Sequence, residues 1–202
     1  MRRQGQFMSL ARWLNRAVLQ PGRRWGHGPP TSTQPFAGEA APNGKLVTFK
    51  IHRLAWNMEI ERIQLQMHGD DRGMLIALEK DRNVPFEIRR VYYLFSTKCD
   101  VHRGMHAHRN LNQLAVTVRG SVTFLLDDGS GACKVVLDDP SQGLLLHSMV
   151  WREMYDFSED CVLMVLADQF YDPADYITDY DAFLREVRDG ARQGDVAAWQ
   201  GR

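Results

Sequence analysis

Two histidines one residue apart, His106 and His108, sit in the stretch Arg103-Gly104-Met105-His106-Ala107-His108-Arg109. On an extended chain the side chains alternate between faces, so both imidazoles project together and reach one ligand or one substrate. The segment beyond the pair constrains the fold. Residues 114–126 are rich in Val, Thr, Leu and Phe and are interrupted by a single glycine, Gly120, a composition suited to strands. Asp127-Asp128-Gly129-Ser130 then supplies a hairpin turn, because Asp-Gly tolerates the positive φ that such a turn requires.

The same rhythm extends in both directions. Alternation predicts strands over 58–65, 74–79, 88–95, 134–137, 143–147, 151–156 and 161–167, with a turn at 69–73 and a loop at 83–86. Short strands parted by turn signals predict an all-β sandwich or jelly roll. Within the span from residue 58 onward only residues 172–187 read as helical, with Asp172 as N-cap and Pro173 at the first helical position. No internal repeat, P-loop or GxSxG elbow is present.

Charge divides the chain. Residues 1–57 hold nine Lys or Arg and one acid, a net of +8, while residues 58–202 hold 16 basic and 24 acidic groups, a net of −8. The acidic main part argues against nucleic acid as a general partner, since phosphate backbones are met by basic surfaces. Within the basic part, Leu10, Trp13, Leu14, Ala17 and Val18 could form one face of a short helix over 8–19, and the Gly-, Pro- and Ser-rich run to Gly44 reads as disordered. Residues 1–57 are therefore expected to be a dispensable extension, with a transit peptide or a basic membrane-surface helix as alternatives. Residues 58–190 form the main domain and 191–202 a flexible tail. Cys99, Cys133 and Cys161 are odd in number and widely spaced, so a reducing cytoplasm is expected and a disulfide framework is not. No stretch of 18 apolar residues is present, so no membrane span is expected.

The histidine pair, Gln113 five residues on and Gly120 beyond it resemble the first motif of the cupin superfamily, and Gly143 through Trp151-Arg152 resembles the second. In metal-binding cupins the Gln113 position carries a glutamate ligand and the Arg152 position a histidine. A neutral amide and a permanent cation in those places imply that the metal is gone. Asp71-Arg72-Gly73, Asn83-Val84-Pro85-Phe86, Arg89-Arg90-Val91-Tyr92-Tyr93, Leu126-Asp127-Asp128-Gly129, Trp151-Arg152-Glu153-Met154-Tyr155-Asp156 and Tyr171-Asp172 complete the likeness. Together they resemble the dTDP-sugar 3,4-ketoisomerases over about residues 60–188, apart from Arg152 and Tyr155, where some members have histidines, and Ser148, where proline is common. The resemblance implies an all-β cupin jelly-roll barrel with a short C-terminal helix and a disordered N-terminal extension. It also implies a dTDP-4-keto-6-deoxyglucose substrate, a 3-keto product serving deoxyamino-sugar or polysaccharide synthesis, no metal or other cofactor, and a homodimer.

Moving a carbonyl from C4 to C3 requires a proton to leave C3 and one to arrive at C4, with no net redox change. Histidine is the side chain whose ordinary pKa suits that transfer near neutrality. His108 is expected to be the base and His106 its partner. Arg90 and Tyr92, two apart on one strand, are expected to face the site, Arg90 toward diphosphate and Tyr92 toward the sugar as hydrogen-bond or proton-relay group. Arg103 suits a phosphate oxygen pair, and Gln113 could hydrogen-bond sugar hydroxyls. Trp151 reads as core, and Tyr171, Tyr176, Tyr180 and Phe183 as a hydrophobic cap. A non-catalytic sugar-nucleotide-binding domain is the rival reading. It would keep the arginines but has no use for both histidines. A metal-dependent cupin enzyme is the other rival, disfavoured by Gln113 and Arg152.

Overall fold

The computed structural model describes residues 47–52 and 59–200, with side chains described from residue 60 to residue 190. Chain contacts divide the molecule into residues 1–40 and 41–202, and every described element belongs to the second unit. The expected helix over 8–19 and the expected disorder up to Gly44 lie outside the described residues.

The first half of the fold comprises β1 (Val47–His52), β2 (Glu59–Gln64), β3 (Met67–Asp70), β4 (Gly73–Ile76), β5 (Arg90–Leu94), β6 (Arg103–His108) and β7 (Gln113–Arg119). It continues with β8 (Val122–Asp127), β9 (Ala132–Leu137), β10 (Gln142–Leu146), β11 (Trp151–Tyr155), β12 (Val162–Ala167), β13 (Tyr176–Ile177) and the helix α1 (Tyr180–Gln200). Six strands form one sheet in the order β1-β2-β10-β7-β12-β5, five form a second in the order β13-β6-β11-β8-β9, and β3 and β4 make a separate hairpin. All of these strand pairs are antiparallel, and from β5 to β8 and again from β9 to β13 each successive strand lies in the other sheet, as in a jelly roll.

Alternation explains the layering. β9 reads exposed or half-buried at every second residue and buried between, with Cys133, Val135 and Leu137 turned inward. Those residues meet Val122, Phe124 and Leu126 of the same sheet and Ala115, Leu144, Leu163 and Val165 of the opposite one, which together form the main core. Gly120 is the corner between sheets. It has φ +69°, and a Cβ there would lie 2.9 Å from the Cys161 Cα, so the chain crosses at a point where no side chain fits.

Three expectations change. Residues 1–57 are not wholly an extension, because β1 pairs with β2 over six residues, from Val47 opposite Gln64 to His52 opposite Glu59. The basic charge of that end hid an alternating strand. The helix expected over 172–187 is two pieces: Asp172 accepts from the Ala174 N–H and starts only a 3-10 turn, Pro173–Asp175, after which Tyr176 extends to pair with β6. The helix starts again at Asp179, whose carboxylate accepts from the Ala182 N–H at 2.6 Å. The expected flexible tail is helical in the backbone as far as Gln200. α1 packs through Phe183 and Leu184 onto Trp151 and Ile177, and Tyr180 donates to the buried Asp127 carboxylate at 2.6 Å. Trp151 is thus core, as its sequence context implies. Among the described residues no helix is long and apolar enough to cross a membrane.

Candidate active site

The site forms where β5, β6, β7 and β11 meet the turn Pro173–Asp175. Its strand geometry begins with a defect. Gly104 (φ +86°) and Met105 (φ +55°) both occupy the left-handed region, and the β6–β11 register slips between Arg152 and Glu153. A bulge of this kind re-aims the residues beyond it, here His106 and His108. The Gly104 carbonyl accepts from His106 Nδ1 at 3.0 Å. A Cβ on Gly104 would lie 2.7 Å from the Arg152 carbonyl oxygen, which is backbone and cannot swing away. Gly104→Ala is therefore expected to cost about 1–3 kcal/mol, with a lower Tm and a fall in activity, since it strains the turn that aims the histidines. A variant with unchanged Tm would show that the bulge relaxes freely.

The two imidazoles stand edge to face, with their Nε2 atoms 3.2 Å apart. His108 is 1% exposed, and its Nδ1 lies 2.9 Å from the Asp175 Oδ2. His106 is only half-buried. Tyr176 packs on both, with ring centroids 4.2 Å from His108 and 4.9 Å from His106. Burial and then the Arg152 cation push both imidazoles down, to about 4 for His106 and about 2 for His108. The Asp175 carboxylate acts in the opposite sense on His108. At neutral pH the rings are neutral and available as bases.

Behind them lies a buried polar chain. Arg152, 2% exposed, donates to the Gln113 Oε1 at 3.0 Å and to the carbonyls of His147 and Val150. Gln113 in turn donates through Nε2 to the Tyr92 hydroxyl oxygen at 2.7 Å. The amide is 3% exposed, its oxygen accepting from Arg152 and one of its two N–H groups donating to Tyr92, so Gln113 orients Tyr92. Burial pushes the Tyr92 phenol up, so it keeps its proton, and with its oxygen accepting from Gln113 that proton points elsewhere. This donor set does not fit a divalent cation. The Gln113 oxygen is committed to a guanidinium, and that guanidinium stands beside the histidine pair.

Arg90 and Tyr92 share the site face of β5, with the guanidinium carbon 5.5 Å from the Tyr92 ring and 5.7 Å from the Tyr171 ring. Arg89 and Tyr93 are exposed. Arg90 and Arg103 are half-buried, each has a buried Nε without an acceptor, and neither has a carboxylate partner among the described residues. Burying cations this way is costly unless an anion arrives. Sequence reading missed Asp175 and placed Tyr171 and Tyr176 in a hydrophobic cap. Only Tyr180 and Phe183 do that, and no local signal marks the others, because Asp175 on its turn and Tyr176 on β13 reach His108 from nearly 70 residues away and Tyr171 reaches Arg90 from further still.

A family model described as FdtA, WxcM-like, C-terminal, matches residues 58–188. A TDP-4-oxo-6-deoxy-alpha-D-glucose-3,4-oxoisomerase of Aneurinibacillus thermoaerophilus is 47% identical over 130 residues, which are 64% of this chain and 94% of that protein. The crystal structure of QdtA, a sugar 3,4-ketoisomerase from Thermoanaerobacterium thermosaccharolyticum in complex with TDP, superposes with a TM-score of 0.63 at 39% identity, covering 64% of this chain and 95% of that one. The WlaRB TDP-quinovose 3,4-ketoisomerase from Campylobacter jejuni gives 0.61 at 47% identity, covering 62% and 97%.

Proposed function

Because this chain belongs to the FdtA family of WxcM-like C-terminal domains, we propose that it is a dTDP-sugar 3,4-ketoisomerase converting dTDP-4-keto-6-deoxyglucose to its 3-keto isomer by acid–base catalysis without a metal. The cupin jelly roll supplies the scaffold. The observation that carries the chemistry is the pair of neutral imidazoles with converging Nε2 atoms, set beside the half-buried Arg90, which lacks an anionic partner among the described residues.

The histidine pair takes the C3 proton as its C–H bond breaks, the electron pair forms a C3=C4 double bond, and O4 gains a proton. C4 then receives a proton while the O3 hydroxyl gives one up, so C3 is oxidised, C4 is reduced, and no external redox partner is needed. Tyr92, with its hydroxyl proton turned away from Gln113, donates to a sugar oxygen and stabilises the charge that develops there. Arg90 and Arg103 hold the diphosphate, where a planar guanidinium meets two phosphate oxygens. Two copies pair as a homodimer. The exposed Val91 and Tyr93 lie on β5, with the exposed Phe95 just beyond its end, and β5 is an edge strand that would otherwise offer an unprotected template. The enzyme works in the cytoplasm, where the thiols of Cys99, Cys133 and Cys161 stay reduced.

Incubation with dTDP-4-keto-6-deoxyglucose in EDTA, then proton NMR, tests the reading. The expected result is conversion to the 3-keto isomer at the rate seen without chelator. Activity lost in EDTA and restored by zinc or iron overturns the metal-free step. No conversion under either condition overturns the isomerase reading.

A further inference from the structure

The hydrogen bonds around the two histidines can be counted in protons. A carbonyl oxygen only accepts, so the contact with Gly104 requires a hydrogen on His106 Nδ1. A carboxylate also only accepts, so the contact with Asp175 requires a hydrogen on His108 Nδ1. Two neutral rings then have no hydrogen left for either Nε2, and two lone pairs face each other across 3.2 Å. That contact becomes a hydrogen bond only when one further proton enters it. The arrangement is a seat for a single proton, and the Arg152 cation beside it keeps that seat from accepting a divalent cation.

Asp175 is built to hold this state. Its Oδ1 accepts from the Asn110 backbone N–H at 2.8 Å, leaving Oδ2 for His108. Its carbonyl accepts from the Arg109 N–H, and Arg109 further clamps the turn through the carbonyls of Ala174 and Tyr176 while pairing with Glu186 of α1. Resting on the isomerase reading above, we infer that Asp175 is a positioning residue: it fixes His108 as the Nδ1–H tautomer and so makes His106 and His108 one shared acceptor for the proton that leaves C3. The charged and titratable groups facing His108 are His106 from β6, Arg90 from β5, Arg152 from β11, Tyr176 from β13 and Asp175 from the turn. Arg90 and Arg152 disfavour a proton on the pair, while the Asp175 carboxylate at His108 and the Gly104 carbonyl at His106 favour it. The proton removed from carbon is taken up there and exchanges with solvent before carbon is reprotonated.

The test uses the full chain with 15N-labelled histidine and the variant Asp175→Asn. In the wild type near neutral pH, both rings are expected to be protonated at Nδ1 and bare at Nε2. In Asp175→Asn the His108 tautomer becomes mixed, kcat falls about 10- to 100-fold, as for loss of an outer carboxylate from a working imidazole, and KM stays within about threefold. The acid limb of kcat moves to lower pH, because removing the carboxylate lowers the affinity of the pair for its proton. A strut that merely held the turn would lower Tm without moving the tautomer or the pH profile, and that outcome overturns the inference. So does a wild-type spectrum showing His108 protonated at Nε2 and bare at Nδ1, which decides the matter even if the variant does not fold. A wild type that leaves the dTDP-sugar unconverted overturns the isomerase reading instead, while its spectra still report on Asp175.

Discussion

Asparagine at His106 or at His108 is expected to lower kcat by about 10²–10⁴-fold, and the double variant is expected to be no slower than the slower single one. The magnitude is that of a placed base. The lack of additivity comes from geometry, because two nitrogens 3.2 Å apart that receive one proton form one functional unit, and removing either member leaves a single desolvated imidazole with a depressed pKa. Solvent deuterium entering C3 and C4 during turnover, read by NMR, reports the step directly and should vanish in all three proteins. Affinity for dTDP should change only a few-fold, since neither ring is needed to hold the diphosphate. Losses that multiply in the double variant would mean two independent jobs. Exchange persisting in His108→Asn but not in His106→Asn would make the half-buried ring the base, and exchange persisting in both would remove the pair from the mechanism.

That experiment bears on a question the sequence could pose but not answer. Period-two spacing put the two histidines on one face and Arg90 with Tyr92 on another strand, which needs only local backbone geometry. The Asp-Gly hairpin between β8 and β9 is likewise a local property, with Gly129 at φ +88°. Which imidazole is buried is not local. It depends on Asp175, 67 residues away, whose short turn looked like the start of a helix because Asp172 and Pro173 satisfy the N-cap pattern equally well for one turn or for four. Gln113 shows the same limit in another form. Its position in the motif was legible, yet its role depends on Arg152 and Tyr92 claiming both ends of the amide. β1 was lost for a different reason: the charge of a 57-residue segment was averaged over a strand whose alternation, taken alone, predicts pairing.

Replacing Arg90 or Arg103 by alanine is expected to weaken dTDP binding by about 10- to 150-fold, the equivalent of about 1.5–3 kcal/mol for a lost hydrogen-bonded charge pair. Titration calorimetry with dTDP checks the affinity, and both losses should shrink as salt rises, because added ions screen the attraction that the wild type retains. The two variants should differ in pH dependence. Arg90 lies near enough to His108 to disfavour its protonation, whereas Arg103 makes no such contribution. Removing the Arg90 cation therefore raises the proton affinity of the histidine pair, and the acid limb of activity moves to higher pH. In Arg103→Ala that limb stays in place, and kcat at saturating substrate stays within a few-fold of the wild type. With Arg90 holding the diphosphate as proposed, substrate binding is expected to act like the Arg90 substitution, its charge offsetting the cation and bringing the depressed imidazoles back toward the range where a base works best. A dTDP affinity unchanged in both variants would remove the arginines from the phosphate site and leave the unpaired burial of Arg90 near His108 without a purpose.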